Sequence, residues 1–180
     1  MMVRAFVALE LSPEIKEELR KAQESLKECG ARLAYVNPEI IHITVKFLGE
    51  VDEKNLEKVV AALKPIKCDP FAVTAKTVTA DNDKRPRTVW CTIEDEGKSG
   101  RLFTLVENAT AALGFPRETR KFIPHATVAR VKWPEPVLLP ALAKIKTRSY
   151  GTCMITGFKL KKSTLTPQGP IYEDLLAVTW

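Results

Sequence analysis

Residues 41–50 read IHITVKFLGE and residues 124–131 read PHATVARV, and these two stretches hold both histidines of the 180-residue chain. In each, threonine follows histidine by two positions: His42 with Thr44, and His125 with Thr127. From 41 to 47 apolar and polar residues alternate, the period-two pattern of a strand with one face on a core. Side chains at i and i+2 share a face, so each imidazole stands beside its hydroxyl while Ile43, Val45, Ala126 and Val128 pack inward. The same reading sets Lys46 on the His42 face, within reach of a phosphate, and Phe47 on the apolar face with the core.

Outward from each motif the order repeats: a short break, then an amphipathic helix. After the first, Asp52 is placed to cap a helix whose stripe is Leu56, Val59, Val60 and Leu63, ending before Pro65. After the second, PEPVLLPALAKI reads as a helix opened by prolines. This imperfect duplication predicts two similar lobes facing each other across a pseudo-twofold axis, with equivalent strand positions converging on one cleft.

The remaining chain continues the alternation. VRAFVALEL reads as a strand, and Ser12 with Pro13 starts a helix carrying Ile15, Leu19, Ala22 and Leu26 on one face. Between 71 and 94, two β-branched stretches flank the basic segment DNDKRPR, a hairpin with a mobile loop. SGRLFTLVENATAALG is a helix, YGTCMITGFKLKKSTL one long strand, and IYEDLLAVTW the last strand. The expectation is one domain over residues 1–180.

Cys29, Cys68, Cys91 and Cys153 show no metal or redox spacing, and no apolar run suits a signal peptide or membrane helix, so a cytoplasmic protein that does not engage membranes is expected. A formal charge of +6 favours an anionic partner. Lys84, Arg85 and Arg87 are candidates to hold a nucleic-acid backbone. Tyr35 and Phe47 read either as stacking partners for a nucleobase or as core aromatics, the core being the expectation for each.

Chemically, imidazole titrates near neutrality, so one ring can take a proton from water while the other donates one to a leaving oxygen. The hydroxyls of Thr44 and Thr127 can donate to non-bridging phosphate oxygens. Two histidines without HExxH, HxH or a cysteine ligand leave zinc coordination incomplete, so no metal and no cofactor is expected.

With these residues in view, the sequence resembles the two-histidine (2H) phosphoesterase superfamily, in its 2'-5' RNA ligase and RNA 2',3'-cyclic phosphodiesterase branch. The likeness runs through MMVRAFVALEL, IHITVKFLGE, PHATVARV and STLTPQGPIYEDL. It implies an α+β fold of two pseudo-symmetric lobes, each an antiparallel sheet with helices on its outer face and the active-site groove between them. It also implies that His125 activates water and His42 protonates the 3' oxygen of an RNA 2',3'-cyclic phosphate, leaving a 2'-phosphate, with reversible 2'-5' ligation as the same chemistry run with an RNA hydroxyl. Thr44 and Thr127 would bind phosphate. Arg130 follows the second motif as in the family's HxTxAR pattern, although an undisturbed strand would aim it away unless a bulge intervenes. The Pro167–Pro170 loop would lie near the cleft, with Ser163 on phosphate and Tyr172 near the base. A monomer acting on RNA ends such as tRNA halves is the expected form. The rivals are a phosphodiesterase for small cyclic nucleotides and an RNA-binding module without catalysis.

Overall fold

The computed structural model describes residues 2–146 and 149–180; Met1, the first letter of the opening stretch, lies outside them. Strand β1 (Met2–Glu10), helix α1 (Pro13–Lys27), the short β2 (Leu33–Tyr35), a 3-10 turn (Pro38–Ile40), β3 (His42–Asp52) and α2 (Glu53–Leu63) make the first repeat. Then come β4 (Phe71–Ala80), β5 (Thr88–Glu94), α3 (Lys98–Ala111), β6 (His125–Val131), α4 (Leu138–Ile145), β7 (Thr152–Ile155), β8 (Gly157–Thr166) and β9 (Gly169–Thr179). The starts of α1 and α2 follow from their caps. Ser12 accepts the Ile15 N–H at 3.4 Å ahead of Pro13, and Asp52 accepts that of Asn55 at 3.0 Å. No described helix is long and apolar enough to cross a membrane.

All strand pairs are antiparallel, in the order β7-β4-β5-β6-β3-β1-β8-β9, with β2 added on β6. At the middle, β3 and β6 pair only through Ile43 and Ala126. One curled sheet is thereby divided into two halves, four strands in one and four plus the short β2 in the other, that meet at a single bridge, the two lobes anticipated from the duplication.

The repeats exchange parts. The strand β4, which follows α2, joins β5 in the second half, and β8, which comes after α4, joins β1 in the first. Helices cross over too: α1 packs on β6 and α4, while α3 packs on β3 and α2. Each half therefore buries its apolar face under elements from both repeats. The core on that side includes Leu9, Leu19, Ile43, Leu63, Leu102, Ala126 and Val128, all at 0% exposure.

One expectation fails here. The long strand over 150–165 is two strands on different halves, β7 beside β4 and β8 beside β1. The chain turns at Thr156, whose carbonyl accepts the Trp180 N–H at 3.0 Å. Continuous strand-forming residues hide this crossing, and Gly157 is its only local sign. A Cβ at 157 would collide with the Val178 carbonyl oxygen and lie 3.1 Å from the Thr179 Cα. Gly157→Ala is expected to cost about 2 kcal/mol or more, read as a fall in Tm of roughly 4 °C or greater. Gly100→Ala, in α3 with open space around it, should leave Tm unchanged or raise it slightly.

Candidate active site

Ile43 and Ala126 are both fully buried, so the residues flanking them on each strand face the other way. Antiparallel register sets His42 beside Thr127 and Thr44 beside His125. Neighbouring strands are about 5 Å apart and i to i+2 spans about 7 Å, so four half-buried polar side chains form one cluster around the bridge. The cluster has the pseudo-twofold symmetry of the fold.

Each imidazole is fixed by the same device. His42 Nδ1 lies 2.8 Å from the carbonyl of Ile40, and His125 Nδ1 lies 2.7 Å from that of Ile123. A carbonyl only accepts, so Nδ1 carries hydrogen and Nε2 is the nitrogen left for proton transfer. Nε2 of His42 is 3.0 Å from Thr44 Oγ1. Aromatic rings back both: Phe6 at 5.0 Å and Tyr172 at 5.4 Å from His42, and Trp90 at 4.2 Å from His125.

Burial pushes both imidazoles below their ordinary value of 6.5, because a charged ring loses hydration there. Against it, the Ile40 carbonyl and Glu10 favour the charged form of His42, while Lys161 and Lys16 oppose it. For His125 the Ile123 carbonyl and Asp81 act against burial. Burial thus favours the neutral form of both rings in the unliganded protein.

Beyond the threonines, each strand carries a bulge at the third residue after its histidine. On β3, Thr44 pairs with Ala8 and Lys46 with Val7, leaving Val45 extra. On β6, Thr127 pairs with Trp90 and Ala129 with Val89, leaving Val128 extra. A bulge shifts the alternation by one, so the residues immediately beyond it change face. Arg130 is thereby returned to the side of His125 and Thr127, exposed and paired across from Thr88. The bulge that the sequence left open is present. Gln23 of α1 supports it, donating from Nε2 to the Val128 carbonyl at 3.0 Å.

The matching bulge on β3 corrects two readings. Phe47 is on the groove side, 59% exposed and 5.6 Å from Phe6, where strict alternation put it in the core. Lys46 does not share the His42 face. It is buried, donates to Glu107 of α3 and to the Pro116 carbonyl at 2.9 Å, and cannot reach a phosphate in the groove. Glu107 also accepts the Glu118 N–H at 3.2 Å, so this ion pair ties β3 to the loop leading into His125.

Ser163 and Tyr172 are cross-strand partners on the β8–β9 hairpin, and Tyr172 packs edge-on against Phe6 at 4.9 Å as well as His42. Burial raises the Tyr172 phenol above its ordinary value, while Arg130, Arg4 and Lys161 pull the other way. Arg4, missed in the sequence, lines a surface hollow with Glu50, Ser163 and Leu165. Tyr35 stays off the groove, its ring 5.5 Å from Lys27 Nζ. The basic loop is less free than expected. Asp81 accepts from the backbone of Arg87 and Thr88, and Asn82 from that of Lys84 and Arg85. Phe6, Glu10 and Trp90 also escaped sequence reasoning, because their places depend on which strands become neighbours.

The LigT like phosphoesterase family profile matches residues 9–90 and 93–172. A protein of Archaeoglobus fulgidus named RNA 2',3'-cyclic phosphodiesterase is 37% identical over 174 residues, spanning 96% of this chain and 98% of its own. One of the same name from Methanocaldococcus jannaschii is 36% identical, spanning 95% and 97%. Among solved structures, a Thermus thermophilus protein superposes with a TM-score of 0.80 at 28% identity, covering 98% of this chain and 97% of that one. The fold is also that of Escherichia coli LigT crystallised with 3'-AMP, with a TM-score of 0.82 at 23% identity over 99% and 98% of the two chains.

Lys46→Met should destabilise the protein by about 3–5 kcal/mol, because it strands the buried Glu107 carboxylate. Lys46→Met with Glu107→Leu should recover most of that loss in a denaturant melt.

Proposed function

The chain belongs to the LigT-like phosphoesterase family, and from that premise we propose that it hydrolyses RNA 2',3'-cyclic phosphate ends to 2'-phosphates by two-histidine acid and base catalysis. The carrying observation is the single Ile43–Ala126 bridge, which gathers His42, Thr44, His125 and Thr127 on one face. Two relatives matched over nearly their whole length bear the name of that activity.

In this reading the cyclic phosphate sits over the bridge with its non-bridging oxygens accepting from Thr44 and Thr127 hydroxyls. His125 takes a proton from water through Nε2 as the water attacks phosphorus. His42, protonated at Nε2, gives its proton to the departing 3' oxygen, and the 2' ester remains. Nδ1–H of each ring stays on its carbonyl throughout, so a ring gaining charge keeps its orientation and one counter-dipole. Arg130 adds a cation on the His125 side, balancing charge that gathers on phosphate. Ser163 and Tyr172 border the nucleoside, and exposed Phe47 offers a flat surface to the base. Lys84, Arg85 and Arg87 precede Thr88, the cross-strand partner of Arg130, so in this reading they extend the cationic side of the groove toward the backbone of a longer RNA, such as half of a cleaved tRNA. An RNA hydroxyl in place of water gives the reverse, ligating reaction.

Both imidazoles lie below 6.5 in the free protein, so a profile needing one neutral and one protonated ring peaks between two depressed values. The optimum of kcat/KM is expected below pH 6.5. Short RNAs ending in a 2',3'-cyclic phosphate, incubated in excess EDTA, should yield 2'-phosphate ends by mass and end-group analysis. His42→Ala and His125→Ala should each slow this by about 10²–10⁴-fold. Full turnover in either variant, or turnover only on adding metal, contradicts the proposal.

A further inference from the structure

The two histidines share a carbonyl lock and an aromatic wall, yet their charged surroundings differ. Glu10 is the direct cross-strand partner of His42, whereas the partner of His125 is the neutral Thr92. The Glu10 carboxylate is held from two sides, by Lys161 Nζ at 2.6 Å and by Lys16 Nζ at 3.3 Å. Both lysine side chains are largely covered, at 11% and 14% exposure. Lys161 is bonded in turn to Asp174 at 2.7 Å, and Asp174 to Lys159. These contacts join α1, β1, β8 and β9 behind one catalytic ring.

Lys16 connects this cluster to the orientation of the imidazole. Its Nζ also donates to the Glu39 carbonyl at 2.7 Å, in the 3-10 turn before β3. The next carbonyl along, that of Ile40, accepts from His42 Nδ1. A short path therefore runs from the Glu10 carboxylate through Lys16 and the turn to the ring nitrogen that sets its tautomer.

We propose that Glu10, clamped between Lys16 and Lys161, is a positioning residue for His42: it anchors the turn that orients the ring and offsets the two lysine charges beside it. This rests on the two-histidine reading above. Charged or titratable groups facing His42 are Glu10 from β1, Lys161 from β8, Lys16 from α1 and the neutral Tyr172 phenol from β9, with His125 and Arg130 across the bridge. Of the groups that pull on the free ring, only Glu10 is negative. Without it, two cations would oppose imidazolium in the ring assigned as the general acid. The His125 half has no such clamp among the described residues, and its nearby carboxylate, Asp81, is committed to loop backbone.

The chain has two histidines, so its imidazole proton resonances can be assigned with His42→Ala and His125→Ala and titrated by NMR. Glu10→Gln should lower the His42 midpoint and Lys161→Met should raise it, each by on the order of half a pH unit, with His125 unmoved. At pH 7, Glu10→Gln should reduce kcat about tenfold with KM nearly constant, and Lys16→Arg should retain activity that Lys16→Met loses. Movement of both histidines together, the same direction in both variants, or no movement overturns the proposal. If Glu10→Gln does not fold, the Lys161→Met shift decides alone. Activity surviving in His42→Ala would instead defeat the underlying two-histidine reading, so the two failures are distinguishable.

Discussion

Strands β3 and β6 are joined at one residue pair, and that economy makes the groove. Were the ladder longer, side chains of a continuous sheet would stand where a substrate must enter; because the strands part on either side of Ile43 and Ala126, the halves open above the bridge. Register there has little freedom. Sliding either strand by one residue would bury a histidine and expose a residue now at 0% exposure, a loss of apolar burial together with an unpaired polar group. Packing of two small apolar side chains on the helix side thus fixes where two imidazoles stand on the other.

From that bridge outward the two halves use one backbone plan with different side chains. Each has the histidine, the threonine and a valine bulge at the third position after the histidine. Past the bulge, the inward residue is Lys46 in one half and Ala129 in the other, and the outward one is Phe47 or Arg130. The inward difference is absorbed by the opposing helices: Glu107 on α3 meets Lys46, and Gln23 on α1 bonds the bulged Val128 carbonyl. The outward difference gives the groove an aromatic side and a cationic side, matching the base and phosphate ends of a nucleotide.

Much of this was legible in the sequence because local pattern carries it. The paired HxT motifs, the Ser12 and Asp52 caps and the helical stripes are short-range signals, and they marked the lobes and the four side chains that the fold gathers at the bridge. Face assignment beyond Thr44 was not legible, since a bulge is set by the register of two strands and leaves no mark in either one alone. Lys46 and Phe47 were exchanged for that reason, whereas Arg130 kept its place through the family pattern. The crossing at Gly157 and the pairing of Glu10 with His42 are likewise products of topology, visible only once β8, β1 and β3 are neighbours.

That the two motifs act as one site on one phosphate is tested most directly by titrating the protein with a nucleoside 2'-phosphate while following the imidazole 15N resonances of His42 and His125. Both Nε2 signals moving along a single isotherm, with the Nδ1 signals nearly constant, is the expected result. Response of one histidine alone, or two isotherms with different affinities, would contradict it.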